Sequence, residues 1–194
     1  MLKFGKKVSY RPLIFSFAIA LVVGLLLGLN FSWTLGLEVG FVMFLGILIG
    51  HYFLVLPIIF NYWDTYGDVI RYNDIKSFRK RAFAIFFPKF QHLSVISRDN
   101  IRSISILGLP QRDSNLASEL VLSEEGGFMY NLLLMINEPV KIRLTLADHT
   151  SLDLDLSRDY VGHPAETIGK LKLFLSGFNP YLLHIPEDAK KMLI

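Results

Sequence analysis

Two runs of apolar residues, each long enough to cross a lipid bilayer, constrain the fold of this chain more than any other feature of its sequence. Residues 12–31 (PLIFSFAIALVVGLLLGLNF) contain no acidic or basic side chain, and residues 39–60 contain only His51. About 20 apolar residues in a helix cross a hydrocarbon core about 30 Å thick. We therefore expect two transmembrane helices, at 12–31 and 39–60.

The basic residues around these runs predict their orientation. Lys3, Lys6, Lys7 and Arg11 precede the first run, and the connection between the runs carries only Glu38. Five cations, from Arg71 to Arg81, follow the second run. Because loops rich in Lys and Arg stay in the cytoplasm, we expect a two-pass protein of the cell membrane with both termini cytoplasmic. The first run is too long for a signal peptide, and no small-residue cleavage site follows it.

A change of composition after the second run predicts the domain organisation. The chain is 52% hydrophobic and 19% charged, and most of its charges lie beyond residue 62. We expect a basic cytosolic N-terminus (1–11), a transmembrane hairpin (12–62), a cytosolic β domain (63–178) and a C-terminal arm (179–194). The sequence has no cysteine, which excludes disulfides and thiolate metal sites.

Small residues recur at helical spacing in both apolar runs. Such residues let two helix backbones approach closely, which is how helices associate in lipid. The pattern predicts a tight hairpin, although the same residues would also serve self-association between copies of the chain. The helix-packing candidates are Ser16, Ala20, Gly24, Gly28, Gly36, Gly40, Gly46 and Gly50.

His51 is the one ionisable candidate inside the second run. On a helical wheel at 100° per residue, His51 falls at the edge of the sector that contains the glycines of the second run. We therefore expect its side chain to lie along the interface between the two helices. Ionisable groups within a membrane are functional candidates, but a proton relay needs a second polar group, and the first run offers only Ser16. The alternative is a neutral imidazole bonded to a backbone carbonyl or to the Ser16 hydroxyl.

The segment IKSFRKRAFAIFFPKF (75–90) combines cations with phenylalanine. Arg79, Lys80, Arg81 and Lys89 are candidates to contact anionic lipid headgroups, because basic residues beside a membrane attract such lipids. We expect a strand to start here; the alternatives are an element lying on the membrane surface and a nucleic-acid patch. Residues 61–194 have no net positive charge, so we do not expect nucleic acid as a partner.

Strict alternation of apolar and polar residues predicts a β-hairpin from VKIRLTL (140–146) and SLDLDLS (151–157). Apolar residues must face apolar residues, so Leu144 pairs with Leu152, which sets Arg143 opposite Asp153 and Lys141 opposite Asp155. These cations balance the acids, and no metal site is expected. HLSVIS (92–97), IRSISIL (101–107) and ELVL (119–122) also look like strands, whereas FMYNLLLMI (128–136) fits a helix or a strand.

One amphipathic helix is predicted after this hairpin, in HPAETIGKLKLFLSGF (163–178). Pro164 suits the first turn and Glu166 the positive end of the helix, while Gly177 suits its C-terminal end. Its apolar face would cover a sheet. The remaining residues, 179–194, read as an extended arm with a short last helical turn.

A family resemblance rests on DVIRYNDI, SVISRDNIRSISIL, VKIRLTLADHTSLDLDL and TIGKLKLFL. Over residues 64–178 this pattern resembles bacterial pleckstrin-homology-like domains, which often follow a membrane hairpin. The layout is also similar to small Firmicute membrane proteins of the EbsA type, some of which are labelled pore-forming. The resemblance implies an α+β membrane protein whose cytosolic antiparallel sheet or barrel is capped by a C-terminal helix, with no catalytic residues.

No enzyme motif is present: the sequence lacks G-x-S-x-G, the Walker loop, G-x-G-x-x-G and H-E-x-x-H. We therefore expect no enzymatic activity, no catalytic residues and no cofactor. The first functional hypothesis is a membrane-anchored module whose cytosolic domain binds a protein partner or membrane lipids. The alternative is an oligomeric pore or transporter component, which would need several hairpins to enclose a lumen.

Overall fold

A computed structural model describes residues 1–109 and 128–193. These residues form two compact units of an α+β protein, and neither unit is continuous in sequence. One unit, here called the β unit, contains residues 1–5, 62–72 and the described residues from Ser94 onward. The other, the helical unit, contains residues 6–61 and 73–93.

Two long apolar helices dominate the helical unit. Helix α1 (Arg11–Asn30) is followed by a second helical span, Trp33–Ile59, and both are long and apolar enough to cross a membrane. The second span begins at Trp33, so residues 33–38, which the sequence placed in an external loop, are helical. Ser32 explains this start, because its side chain accepts a hydrogen bond from the Leu35 amide at 3.3 Å and caps the helix.

The second span changes its winding along its length. It consists of α2 (Trp33–Leu45), a π-helix (Gly46–Phe53) and α3 (Leu54–Ile59), with Pro57 inside α3. A π-helix bonds residue i to residue i+5 and so turns the chain less per residue than an α-helix does. Residues beyond Gly46 therefore face other directions than a regular helical wheel predicts.

The basic segment is a helix, α4 (Phe78–Phe86), followed by a 3₁₀ turn at Pro88–Phe90. The expectation of a strand here was wrong. Ser77 caps α4 by accepting a hydrogen bond from the Lys80 amide at 3.4 Å. Only Ala84 and Ile85 of this helix are buried, which is why its sequence shows no broad apolar stripe.

The first sheet is an antiparallel meander of β1 (Lys3–Gly5), β2 (Tyr62–Tyr66), β3 (Val69–Tyr72) and β4 (Ser94–Ser97), in that order. Gly5 pairs with Tyr62, and Tyr72 pairs with Ser94. The first residues of the chain, expected to be only a basic terminus, thus supply an edge strand. Because side chains alternate along a strand, Phe4, Trp63 and Ile70 share the core face of this sheet.

The second sheet has the order β7-β6-β5-β8, with strands β5 (Ile101–Leu107), β6 (Lys141–Leu146), β7 (Ser151–Asp155) and β8 (Leu183–His184). The hairpin of β6 and β7 has the predicted register, including Leu144 opposite Leu152. Arg143 makes two hydrogen bonds to Asp153, at 2.7 and 2.9 Å. The C-terminal arm adds β8, which runs parallel to β5.

Helices α5 (Phe128–Asn137), α6 (Ser157–Gly162), α7 (Pro164–Leu175) and α8 (Glu187–Leu193) complete the β unit. The predicted C-terminal helix is confirmed as α7, which buries Leu171, Phe174 and Leu175 in the core. Trp63 lies in the same core, edge-on to the Phe174 ring at 5.3 Å and stacked on Phe4 at 4.1 Å. The unit thus has one continuous apolar centre.

The described residues form two open sheets and no closed barrel, which corrects the expected single sheet or barrel. HLSVIS (92–97) and IRSISIL (101–107), both predicted as strands, contain β4 and β5. The 3₁₀ turn at Arg98–Asn100, however, sends the chain from the first sheet into the second. The predicted strand ELVL (119–122) lies outside the described residues. FMYNLLLMI, left open between helix and strand, belongs to α5.

Candidate functional site

Small residues bring the backbones of α1 and α2 into contact. Ser16, Ala20, Gly28, Gly36 and Gly40 are buried. A Cβ atom built on Gly36 would lie 2.7 Å from the Gly28 nitrogen and closer still to the Gly24 carbonyl oxygen. All these neighbours are backbone atoms that cannot rotate away, so the approach of the two helices requires glycine at position 36.

Gly46 and Gly50 do not belong to this contact, although the sequence grouped them with it. Both are exposed, and a Cβ atom added at either would have no neighbour within 4 Å. They lie in the π-helix, where Leu48 and Phe53, five residues apart, are buried instead. The spacing of five matches the i to i+5 bonding of the π-helix and replaces the spacing of four in α2.

His51 also lies elsewhere than predicted. Its side chain is exposed, and its ring meets the edge of the neighbouring Tyr52 ring at a centroid distance of 5.0 Å. The Ser16 hydroxyl, offered by the sequence as a partner, donates to the Pro12 carbonyl at 2.8 Å. Within residues 1–109 and 128–193, no hydrogen bond joins the His51 side chain to another residue. The π-helix accounts for the difference, because it rotates His51 away from the direction given by 100° per residue.

A groove of about 490 Å³ follows the contact between α1 and α2. Its lining includes the small residues of the helix contact together with larger apolar residues such as Leu21 and Phe41; the small residues are Ala20, Gly24, Gly36 and Gly40. Every residue that lines it is apolar. The groove therefore offers packing surface for apolar groups and has no polar lining that would solvate an ion.

Arg81 compensates for a hydrogen bond that the second span lacks. Proline has no amide hydrogen, so Pro57 leaves the carbonyl of Phe53, four residues earlier, without its usual donor. Arg81 Nη1 donates to this carbonyl at 3.1 Å, while its Nε donates to the Ile75 carbonyl at 2.9 Å. The guanidinium thus ties α4 to the end of the π-helix, and sequence reasoning, which named Arg81 only as a headgroup contact, missed this role.

The other predicted headgroup residues have different surroundings. Arg79 and Lys89 are exposed. Lys80 pairs with Asp74. Burial tends to raise the pKa of Asp74, but hydrogen bonds from the Lys80 ammonium and the Lys76 amide, together with the charges of both lysines, outweigh burial and lower that pKa. Arg79 and Lys89 are therefore the candidates best placed to meet an external anion.

The phenylalanines of the basic segment are exposed, although they are large and apolar. Phe83 and Phe87 form a tilted pair with ring centroids 5.5 Å apart, and the Phe78 ring lies 4.8 Å from that of Phe53. Large apolar side chains that are exposed close together mark an interaction surface, and the Phe83 and Phe87 rings are such a pair. The exposed members are Phe78, Phe83, Phe86, Phe87 and Phe90.

An ion pair between a buried carboxylate and a partly exposed arginine in the β unit was also missed from sequence. Asp64 is fully buried and accepts hydrogen bonds from Arg71 at 2.7 and 2.8 Å and from the Tyr62 hydroxyl at 2.7 Å. Burial and the Asp64 carboxylate raise the pKa of Tyr62 to about 12. Asp64 pairs directly with Arg71 across β2 and β3. The signal was present in YWDTYGDVIRY, where Gly67, at a φ of +56°, makes the turn that sets the two residues opposite each other.

No group of three or more His, Cys, Asp or Glu that could hold a metal ion occurs in the part of the chain that the structure describes. No protein-family model matches the chain, and neither a curated protein nor a solved structure is significantly similar to it.

Proposed function

We propose that this chain is a two-pass membrane protein that holds its β unit at the cytoplasmic face as a non-enzymatic interaction module. The observation that carries the proposal is the exposure of both long helices. Only 22% of the most apolar window of α1 and 17% of that of the second span is buried. A core helix of a soluble protein would be mostly buried, whereas a helix surrounded by lipid exposes this apolar surface without cost.

Charge supports the cytoplasmic placement of the β unit. Three cations precede α1 and a fourth, Arg11, is its first residue. The chain leaves the second span toward Arg71 and the basic α4, while the connection at residues 31 and 32 has no charge. The positive-inside bias favours the orientation with both termini in the cytoplasm. The two spans then form a membrane anchor for the β unit.

A binding role is supported by the way the β unit uses its charged groups. Asp64 pairs with Arg71, Arg143 with Asp153, and Lys170 with Glu166, each at 2.7 Å. Catalytic acids and bases have to meet a substrate in a cleft, whereas these groups are satisfied within the fold. We infer that the surface of this unit binds a protein partner.

Because the sequence has no cysteine, single introduced cysteines can be labelled to test anchoring and orientation directly. One variant carries a single cysteine at Ser32, in the connection between the spans, and a second carries one at Tyr181, which is 91% exposed in the β unit. Intact cells that express each variant are treated with a membrane-impermeant thiol reagent. We expect labelling at position 32 only, with labelling at 181 after permeabilisation. Labelling at 181 in intact cells would reverse the orientation, and release of the chain by alkaline carbonate would refute anchoring.

The binding role is tested by crosslinking the full chain in native membranes and identifying what is captured. The matched control carries Lys172→Arg, a change at an exposed cation that keeps the surface charge. A partner that is captured by the unmodified chain and by the control variant, but not by Tyr181→Asp, supports an interaction surface on the β unit. Capture of nothing beyond abundant membrane proteins would count against the module.

A second candidate function, an oligomeric pore, is favoured by one observation. His51 is exposed well inside the second span, whose other acidic or basic residue, Glu38, lies near its N-terminal end. An ionisable group facing hydrocarbon is costly unless a neighbouring copy or water covers it. On this hypothesis, liposomes that contain the oligomer conduct ions, and the flux changes with His51→Ala. The absence of flux from oligomeric protein excludes it.

A further inference from the structure

The position of α4 within the helical unit is defined by its buried face. Ala84 and Ile85 are fully buried in an apolar cluster with Val8, which precedes α1, and with Leu56 and Phe60, which end the second span. These cluster members belong to the ends of the two spans that carry the flanking cations. Helix α4 therefore packs against the basic end of the hairpin, where the hydrocarbon of a bilayer would give way to headgroups.

The opposite face of α4 exposes aromatic rings. Ala84 and Ile85 define the buried direction, and at 100° per residue Phe83 and Phe86 fall on the far side of the helix, with Arg79 between them. Phe83 is 47% and Phe86 45% exposed, although both are bulky and apolar. Phe90, in the 3₁₀ turn that follows, is 66% exposed. A soluble surface would have polar residues at these positions.

The cations of α4 separate into two groups. Arg81 is engaged with backbone carbonyls, and Lys80 is paired with Asp74. Neither Arg79 nor Lys89 has an ion pair within the described residues. Along the chain, Arg79 lies one turn before Phe83, and Lys89 directly precedes Phe90. The two charges therefore lie beside the exposed rings, an arrangement in which rings enter the boundary between headgroups and acyl chains while cations stay at the phosphates.

We infer that α4 and the turn at Pro88–Phe90 form an interfacial element that inserts Phe83, Phe86 and Phe90 into an anionic bilayer surface. The inference rests on the proposed function, because it requires the two spans to lie in a membrane. It places the lipid contact on the helical unit and leaves the β unit free for a protein partner. Arg79 and Lys89 favour anionic over neutral lipid by charge alone, without recognition of one particular headgroup.

Fluorescent labels on single cysteines in the full chain test the inference. Phe83→Cys and Phe86→Cys carry bimane on the aromatic face, and both positions are exposed, so the packing of Ala84 and Ile85 is unchanged. Tyr181→Cys reports a position in water, and Leu26→Cys, 58% exposed on α1, reports the span itself. The proteins are reconstituted in nanodiscs of phosphatidylcholine, or of equal parts phosphatidylcholine and phosphatidylglycerol. Quenching by brominated lipid is compared with quenching by aqueous iodide.

We expect brominated lipid to quench the labels at 83 and 86, and iodide to quench the label at 181. With phosphatidylglycerol, Arg79→Gln should lower the ratio of lipid-facing to water-facing label at position 83 about fivefold, the effect of one cation near an anionic surface. The same change should have no effect in phosphatidylcholine alone. Lys172→Gln, which removes an exposed cation from α7, is the matched control and should leave the ratio unchanged in both lipids.

Three outcomes would overturn the inference. Labels at 83 and 86 that iodide quenches as strongly as the label at 181 would show an aqueous face. Labels shielded from both quenchers would show a protein surface covering α4. Insertion that is equal in both lipids and unaffected by Arg79→Gln would remove the role of anionic charge. In each case brominated lipid still quenches the label at position 26 if the proposed anchoring holds, whereas iodide quenching there would refute the anchoring itself.

Discussion

Replacing Gly36 by alanine should open the hairpin of α1 and α2, and the structure sets the scale of the effect. The new Cβ atom would lie 2.8 Å from the Gly28 Cα, whereas ordinary van der Waals contacts begin at 3.4 Å. The Gly24 carbonyl oxygen would lie closer still. The helices must therefore separate by at least about 0.6 Å, and a gap of about 0.5–1 Å forfeits roughly a quarter to a half of the dispersion energy along the contact. Strain of this kind costs about 1–3 kcal/mol.

The higher helix propensity of alanine opposes the steric cost of Gly36→Ala. A second glycine-to-alanine change, at a position without that cost, therefore serves as the control. Alanine is favoured over glycine in a helix by at most about 1 kcal/mol, so Gly36→Ala should have a net cost of up to about 2 kcal/mol. Gly46 lies in the same span, and a Cβ atom there has no neighbour within 4 Å. Gly46→Ala should therefore leave the stability of the hairpin unchanged or raise it.

Pyrene labels on the two helices give the assay. Cysteines at Leu21 on α1 and at Phe41 on α2, both of which line the groove, carry pyrene, and excimer emission reports the proximity of the two labels during a titration with SDS. We expect excimer loss at a lower SDS fraction for Gly36→Ala than for Gly46→Ala. If the two variants lose excimer emission at the same SDS fraction, the backbone contact at Gly36 does not hold the hairpin together, and the reasoning fails.

Three further predictions concern single polar groups. Arg81→Ala should lower the free energy of unfolding in detergent by about 2 kcal/mol, because charged donors to the Phe53 and Ile75 carbonyls are lost, whereas Arg79→Ala should change it little. Pro57→Ala restores an amide donor for the Phe53 carbonyl, so the double variant Pro57→Ala/Arg81→Ala should regain part of the unfolding free energy that Arg81→Ala loses. If the effects of the two changes were strictly additive in a double-mutant cycle, Arg81 would not be replacing the hydrogen bond that Pro57 removes. Burial and Asp64 raise the pKa of Tyr62 from 10 to about 12, so its contribution to stability is complete below pH 10 and is lost as the pH rises through 12. In an ultraviolet pH titration, Tyr62→Phe should therefore remove one phenol that ionises near pH 12, and loss of a phenol that ionises near pH 10 would contradict this. Burial raises the pKa of Asp155 although hydrogen bonds from Ser157 oppose this, so the stability of the β unit should fall as the pH rises through that pKa. In denaturant unfolding at about pH 7, Asp155→Asn should therefore stabilise the chain. A gain in stability that persists below the ordinary pKa of a carboxylate would show that the burial of the charge is not its cause.

Elements with strict periodicity could be predicted from sequence in detail. The register of β6 and β7 follows from alternation alone, because a slip of one residue would turn Leu144 and Leu152 out of the core. The same holds for α7, where Leu171, Phe174 and Leu175 repeat at helical spacing and are buried. In both cases one face of the element meets a single core, so the pattern of the sequence determines the structure.

Elements whose apolar residues are exposed could not be predicted in this way. Helix α4 buries only Ala84 and Ile85 and exposes its phenylalanines, the reverse of the rule by which apolar residues mark a core. The π-helix shifts the phase of Gly46, Gly50 and His51, which a wheel at 100° per residue assumes to be constant. Strand identity also does not specify a partner, so the two strands that flank Arg98–Asn100 were not recognised as members of different sheets.

The meander of the first sheet has a consequence for how the protein could be divided. The chain leaves this sheet at Gly5 and returns at Tyr62, its direct neighbour across β1 and β2; it leaves again at Tyr72 and returns at Ser94, again a direct neighbour. The whole helical unit thus occupies two excursions, each beginning and ending where a tight hairpin turn would fit. A gene with two short turns in their place would encode the β unit without the two spans and with β1 retained, whereas simple truncation after the second span would discard that strand.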